Sequence, residues 1–395
     1  MSVRSVRDLE VRGKRVLVRE DLNVPMDGAR VADYTRIDAA LPTLKLLRAR
    51  GARVIVMSHL GRPDGKVNAA LSLRPIAVAL SKRLGGPVAF AEDCVGDVAR
   101  RAVQALNDGD VLLLENVRFH PEEERNDPAF ARQLAELGDL YVNDAFGTAH
   151  RAHASTEGVA HLLPSAAGLL MEGELAALAR VTENPAKPFI CAIGGAKIKD
   201  KIGVFNHLVN HVDAFCIGGG MANTFLAAMD VNVGKSLREP DLEPARYVLE
   251  LTKLRNVELH LPQDAVVATG LDAPDARIVD VDAIGQDEMI LDIGPKTAEA
   301  YAAAIAQAKT IVFNGPMGVY EKPAYRRGTQ IVGEAIARAT ANGAISVVGG
   351  GDAAAAAHML GFANAMTHVS TGGGATLEFL EGKTLPGVAA LESAP

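Results

Sequence analysis

A short buried strand, a glycine turn and a helix start follow one another in Ile345-Ser346-Val347-Val348-Gly349-Gly350-Gly351-Asp352, and the chain repeats that plan from end to end. Ile345, Val347 and Val348 are apolar and β-branched, which predicts a strand. Three glycines and Asp352 then lead into an alanine-rich run that predicts a helix. Bare N–H groups at such a helix start attract an anion. A carboxylate beside them suits a metal ion accompanying that anion. Asp352 can equally be a helix cap, so this segment alone leaves both readings open.

In the first half, strands are expected over 15–19, 53–57, 88–91, 111–114 and 140–142. Helices are expected over 35–50, 72–84, 96–107 and 127–137. The second half has strand patterns over 189–193, 213–217, 265–268, 310–313, 345–348 and 367–369. Such alternation predicts an α/β fold with largely parallel sheets. That many strands would make one sheet unusually wide, and 395 residues exceed one ordinary domain. The expectation is two doubly wound, Rossmann-like domains over 1–170 and 186–380. An interdomain helix and hinge over 171–185 joins them, ended by Asn184-Pro185, because a proline pushes its predecessor out of helical geometry. The apolar tail 381–395 is expected to pack back on the first domain.

Composition narrows the function. Aromatic residues are 4% of the chain and Trp is absent, so stacking platforms for single-stranded nucleic acid are not expected. A net charge of −7 argues against general nucleic-acid binding. Cys94, Cys191 and Cys216 lie far apart in apolar runs, as buried free thiols in a reducing compartment do. The N-terminus lacks the apolar core of a secretory signal, and no run approaches a membrane span. A cytoplasmic protein without membrane contact is expected.

In doubly wound sheets, ligands sit beyond the C-terminal strand ends. In the first half these ends carry Asp21 and Asn23, then Ser58, His59, Gly61 and Arg62, then Glu115, Asn116 and Arg118. Asn143, Asp144, His150, Arg151 and His153 close the series, and Arg36 opens the first helix. Any one of these is an ordinary surface or structural residue. Four arginines at successive strand ends predict a pocket for a small, multiply charged anion, since cations held together repel one another without one. In the second half the ends are glycine-rich: Gly194-Gly195 before Lys197 and Lys201, Gly218-Gly219-Gly220, Asn314-Gly315, and Gly372-Gly373-Gly374. Lys197 and Lys201 are four apart, which predicts one helix face where phosphate would relieve their repulsion. A nucleotide with two or three phosphates fits such loops, with Glu321 offering a carboxylate to ribose hydroxyls. Gly234-Lys235-Ser236 imitates the end of a P-loop, but Met229 stands where that motif needs glycine. No GxGxxG follows the first strand of either half, which argues against an NAD-dependent dehydrogenase.

The runs VREDLNVP (18–25), SHLGRP (58–63), ENVRF (115–119), DAFGTAHRAHAS (144–155), GGAKIKDKI (194–202), NGPMGVYE (314–321), GGGD (349–352) and STGGGA (370–375) resemble, in order, those of the phosphoglycerate kinase family. The resemblance covers essentially the whole chain. It implies a monomeric, two-lobed glycolytic kinase that moves a phosphoryl group between 1,3-bisphosphoglycerate and Mg-ADP, giving 3-phosphoglycerate and Mg-ATP. By motif, Asp21, Asn23, Arg36, His59, Leu60, Gly61, Arg62, Arg118 and Arg151 hold the phosphoglycerate. Lys201, Gly294, Asn314, Glu321, Gly350, Gly351, Asp352 and Ala353 hold the nucleotide, with Asp352 on Mg2+. Arg36, Lys197, Lys201, Gly372, Gly373 and Gly374 surround the phosphoryl group in flight. Two positions depart from the family pattern: Ala353 replaces a hydroxyl residue, and Glu20 replaces an apolar one. The alternative is a non-catalytic nucleotide-binding relative, against which the joint presence of Arg36, Lys197, Lys201 and Asp352 argues.

The resemblance also implies simple chemistry. The acceptor oxygen in the reverse direction belongs to a carboxylate, which is ionised at neutral pH, so no general base is needed. What remains is to bring two anions together, neutralise a transferring group and exclude water, with closure about 171–185.

Overall fold

The computed structural model describes residues 3–392. The chain divides into two compact units, one reaching to Leu175 and including the segment from Thr384, the other running from Ala176 to Lys383. The N-terminal residues 1–2 and the tail residues 393–395 lie outside the described residues.

The first unit holds a six-stranded sheet in the order Ala89–Ala91, Val111–Leu114, Arg53–Met57, Arg15–Arg19, Leu140–Asn143, Ser165–Ala167. Every pairing is parallel. The strand Arg15–Arg19 runs down the middle, and its register places Arg19 beside Met57 on one side and Asn143 on the other. Val16, Val18, Val54, Val56, Leu113 and Val142 are buried in one cluster with Ile37, Leu44 and Leu47 of the helix Thr35–Ala49. Strands covered on both faces read as continuous apolar runs, which made them legible. The helix Pro386–Glu392 belongs to this unit, and the Gly387 N–H donates to the Ala149 carbonyl at 2.9 Å.

The second unit holds its own parallel six-stranded sheet, ordered Glu258–His260, Ala214–Ile217, Phe189–Ile193, Thr310–Asn314, Ile345–Val348, His368–Val369. The expected strand at 265–268 is present as Asp264–Ala268, but not in that sheet. It pairs antiparallel with Arg277–Asp280 and Met289–Ile293 in a separate three-stranded sheet. The chain between Ala268 and Arg277 is too short for the helical crossover that parallel pairing needs. The helix Leu169–Thr182 carries the chain from one unit to the other. Asn184 follows with φ 54°, the left-handed conformation that closes a helix before Pro185.

Cys94, Cys191 and Cys216 are buried and form no disulfide. Among the described residues no helix is long and apolar enough to cross a membrane.

Candidate functional site

In the first unit the basic residues gather at the C-terminal ends of the central strands, on a base of buried polar contacts. Arg19 ends its strand with no solvent exposure. Its Nε donates to Ser155 Oγ at 2.8 Å, and another nitrogen donates to the Glu20 carbonyl. Ser155 Oγ in turn donates to the buried Glu123 carboxylate at 2.6 Å. The remaining arm, Nη2, lies 3.1 Å from His59 Nδ1. A guanidinium only donates, so Nδ1 must accept and the His59 proton sits on Nε2. Burial, with Arg19, Arg118 and Arg36 nearby, drives the His59 pKa well below its usual value. His59 is therefore a neutral ring that offers one N–H.

The other predicted anion ligands join this base. Both Asp21 oxygens accept from Arg36 Nη1 at 2.7 Å. Asn23 Oδ1 accepts from the Gly61 N–H at 2.9 Å, and the Gly61 carbonyl accepts from Arg118 Nη1 at 3.1 Å. The Leu60 carbonyl accepts from Asn116 Nδ2 at 2.8 Å. Arg151 Nε donates to His150 Nε2 at 3.2 Å. Burial and the charges of Arg118, Arg19 and Arg151 together push His153 down to about 3. Arg62 stands exposed on the loop beyond Gly61, outside this network. Sequence reading missed Arg19 because it was counted as a strand residue. Its signal was a charge closing an otherwise apolar run.

Glu20 is the odd member. Its side chain is fully buried and neither oxygen has a hydrogen-bond partner. Burial first, then the neighbouring Asp144, raises its pKa well above the ordinary carboxyl value, and Asp144 itself is raised by burial to about 6. The folded state thus holds a proton on Glu20 that the unfolded chain releases near pH 4.5. Below that pH the carboxyl is protonated in both states and ionisation adds no cost; above it that cost grows by ~1.4 kcal/mol per pH unit while the folded carboxyl keeps its proton. Glu20→Met, similar in length and apolar, is expected to be more stable than the parent at pH 8, with the gap closing towards pH 5. Urea unfolding at both pH values reads this; a variant no more stable at pH 8 overturns it.

In the second unit, a cavity of about 580 Å³ opens beside the strand ends, a size typical of small-molecule sites. Leu237, Met289, Leu291, Pro316, Met317 and Val319 supply apolar walls, while Glu321 and Asp352 contribute carboxylates. Met289 and Leu291 come from the unforeseen antiparallel sheet, so this wall was not legible in the sequence. Gly195, Gly219 and Gly220 also line it. Close backbone packing requires glycine at two positions here: a Cβ at Gly194 would stand 1.9 Å from the Pro316 carbonyl oxygen, and one at Gly219, where φ is 67°, 2.8 Å from Gly195 N. Around Gly351 and Gly373, by contrast, a Cβ would meet open space.

Lys201 is held at a corner between two strand ends. Its Nζ donates to the Gly194 carbonyl at 2.7 Å and the Asn314 carbonyl at 2.6 Å. Burial lowers its pKa to about 8. Asn314 is buried, donates from Nδ2 to the Gly349 carbonyl at 2.7 Å, and leaves Oδ1 without a partner. The expected helix face joining Lys197 and Lys201 does not exist. Gly195 has φ 113°, Lys197 sits in an exposed loop, and helix begins at Lys199–Lys201 as a 3-10 turn before Ile202–Leu208. Buried Ile198, whose N–H donates to Glu239 at 2.6 Å, pins this loop to the body of the unit instead. Gly350, with φ 97°, precedes the helix Gly351–Met359, which carries Asp352, exposed, in its first turn. Ala353 is 1% exposed and packs with Phe313 and Val348 in the core, so what it offers a ligand is its backbone N–H. Gly372 N donates to Ser370 Oγ at 3.1 Å, Gly373 has φ 52°, and Gly374 starts the short helix Gly374–Leu380. Gly294 borders a different, smaller hollow of about 300 Å³.

A family model described as phosphoglycerate kinase matches residues 6–383. The phosphoglycerate kinase of Pelotomaculum thermopropionicum is 56% identical over 395 residues, covering 99% of both chains. That of Moorella thermoacetica is 55% identical over 394 residues, again covering 99% of both. Among solved structures, phosphoglycerate kinase from Coxiella burnetii matches with a TM-score of 0.91 at 43% identity, covering 99% of each chain. The enzyme from Pyrococcus horikoshii matches with a TM-score of 0.83 at 33% identity, covering 98% of each.

Proposed function

The chain belongs to the phosphoglycerate kinase family, and from that premise we propose how its two units divide the reaction. The enzyme transfers a phosphoryl group reversibly between 1,3-bisphosphoglycerate and ADP, giving 3-phosphoglycerate and ATP. In our reading the first unit takes the phosphoglycerate. Arg36, Arg118 and Arg151, with Arg62 reaching in from its loop, meet its anionic groups. Asp21 and Asn23 orient Arg36 and the loop His59-Leu60-Gly61, and His59 gives one neutral N–H. The observation that carries this reading is geometric: Arg19 Nη2 reaches His59 Nδ1, Arg118 Nη1 reaches the Gly61 carbonyl and Arg36 is anchored on Asp21, so guanidinium groups converge on the ends of neighbouring strands. Cations packed that closely gain most from an anion.

The second unit takes the nucleotide. The apolar walls accept the base, Glu321 accepts from ribose hydroxyls, and Lys201 with the amides at 350–353 meets the phosphates. Gly294 follows Ile293, which lines this cavity, and Asn314 supplies the carbonyl that holds Lys201. Asp352, an accessible carboxylate on the cavity rim, would hold a Mg2+ that arrives with the nucleotide. When bound, that ion neutralises charge on the phosphates. Arg36, Lys197, Lys201 and the amides at 372–374 neutralise the transferring group. Transfer is direct and in line, the acceptor is already a carboxylate, and no residue acts as a base. Direct transfer requires the two bound substrates to reach one another with water excluded, which assigns the 171–185 segment the part of a hinge. A cytoplasmic monomer is the state this reading assumes.

A coupled assay for ATP-dependent consumption of 3-phosphoglycerate tests the reaction. Asp352→Ala tests the division of labour: calorimetry should show ADP affinity falling ~10-fold or more with Mg2+ present and little changed without it, as expected for one lost charged ligand. Equal loss in both conditions removes Asp352 from the metal.

A further inference from the structure

We propose that Asp93, Cys94 and His120 form a binding site for a thiophilic divalent cation of the zinc class, apart from the phosphoryl-transfer machinery. Their ligand atoms lie within 4.8 Å of one another. The fold assembles them from two paired strands. Asp93 and Cys94 follow the edge strand Ala89–Ala91, and His120 follows the neighbouring strand Val111–Leu114 through the turn Val117–Phe119. Parallel pairing sends both chain exits to the same end of the sheet.

The arrangement has a floor and a mouth. Cys94 is fully buried beneath, while the His120 and Asp93 side chains are 29% and 41% exposed. His120 Nε2 stands 2.8 Å from Asp93 Oδ1, and its ring packs against Phe130 at a centroid distance of 5.1 Å. The N–H of Cys94 donates to the same Asp93 oxygen at 2.7 Å, which fixes the carboxylate. One nitrogen, one sulfur and one oxygen make a mixed donor set for a tetrahedral ion that keeps water in its fourth position. Ligand atoms around such an ion stand ~3.3–3.6 Å apart, so the His–Asp contact opens by about half an ångström and the thiol closes in.

The charge around the group favours a cation. Asp93, Glu122 and Glu123 act on His120, and Asp93, Glu123 and Glu115 act on Cys94. A buried thiol ringed by carboxylates keeps its proton, and its pKa lies well above the ordinary value. A bound cation reverses that balance. On binding, the Cys94 thiol loses its proton to solvent and a sulfur–metal bond forms. Nε2 must also be free of its proton to bind the ion: a neutral His120 carries that proton to Nδ1 instead, and an imidazolium releases it to solvent. An Asp–His hydrogen bond explains two of these residues without a metal; the buried thiol within 4.8 Å of both is what the metal explains.

Titration of the full chain with Co2+ in the presence of a phosphine reductant tests the site. Expected are one equivalent bound, a thiolate-to-cobalt charge-transfer band, the visible bands of four-coordinate cobalt, and displacement by Zn2+. Cys94→Ala should abolish the charge-transfer band while turnover stays within about twofold of the parent, since the residue is outside the proposed machinery. His120→Ala should weaken Co2+ binding ~10-fold or more, and Cys191→Ala should leave the band in place. Absence of the band in the parent chain overturns the proposal, as does its survival in Cys94→Ala or unchanged affinity in His120→Ala. The parent titration and the exposed His120 variant decide the matter even if Cys94→Ala folds poorly.

Discussion

Arg36→Ala is expected to lower kcat by ~10³-fold while ADP affinity stays within about twofold, on the scale of arginines that stabilise a transferring phosphoryl group. Arg36 spends one terminal nitrogen, Nη1, on both oxygens of Asp21 at 2.7 Å. Its remaining N–H groups stay available for phosphate oxygens. The Asp21 side chain is 10% exposed and the Arg36 side chain 35%, so the carboxylate anchors and the guanidinium reaches out. Arg36→Lys should recover little, because a point charge cannot serve Asp21 and a phosphate with one rigid fork. Asp21→Asn keeps the guanidinium but loosens its anchor, and a smaller loss is expected there. Removing Arg36 also strands a largely buried carboxylate, so thermal unfolding must accompany the kinetics to separate folding from turnover. Turnover within tenfold of the parent, in a folded variant, would remove Arg36 from the transfer step.

Lys201→Met should weaken MgADP binding ~100-fold, in line with a lost charge-assisted hydrogen bond in a partly buried setting. Two of its three ammonium donors are committed to the Gly194 and Asn314 carbonyls, which leaves one for the ligand. The pH dependence is the sharper readout. Burial sets the ligand-free pKa at about 8, and a phosphate contact raises it. Affinity should therefore be complete below pH 8 and decline above it, with proton uptake on binding at pH 9. The variant should lose both the decline and the proton uptake. Calorimetry at pH 7 and pH 9, in buffers of different ionisation enthalpy, measures each. The same pH dependence in parent and variant would place the phosphates elsewhere.

The two sites were unequally legible. Asp21, Asn23, His59, Arg118 and Arg151 were named from strand ends and Arg36 from the start of the first helix, and the structure brings them into one hydrogen-bonded and electrostatic cluster. Arg19 escaped because a strand pattern says nothing about where a long side chain ends. In the second unit the cavity wall escaped because Met289 and Leu291 arrive on an antiparallel sheet whose pairing is a long-range choice. The lysine pair was misread because spacing predicts a shared face only where the backbone is helical, and here the chain is a loop until Lys199, tied through Ile198 N–H to the distant Glu239.

The central strands of the two parallel sheets and the glycine turns at their ends were decided by the sequence, because they rest on apolar runs and φ preferences within a few residues. Which head groups meet was decided by tertiary structure. Arg19 finds His59 because register sets Arg19 beside Met57, two residues before that ring. Lys201 finds the Gly194 and Asn314 carbonyls because the strands Phe189–Ile193 and Thr310–Asn314 end side by side. Those registers come from packing both faces of each sheet at once, and no local window of sequence contains that information.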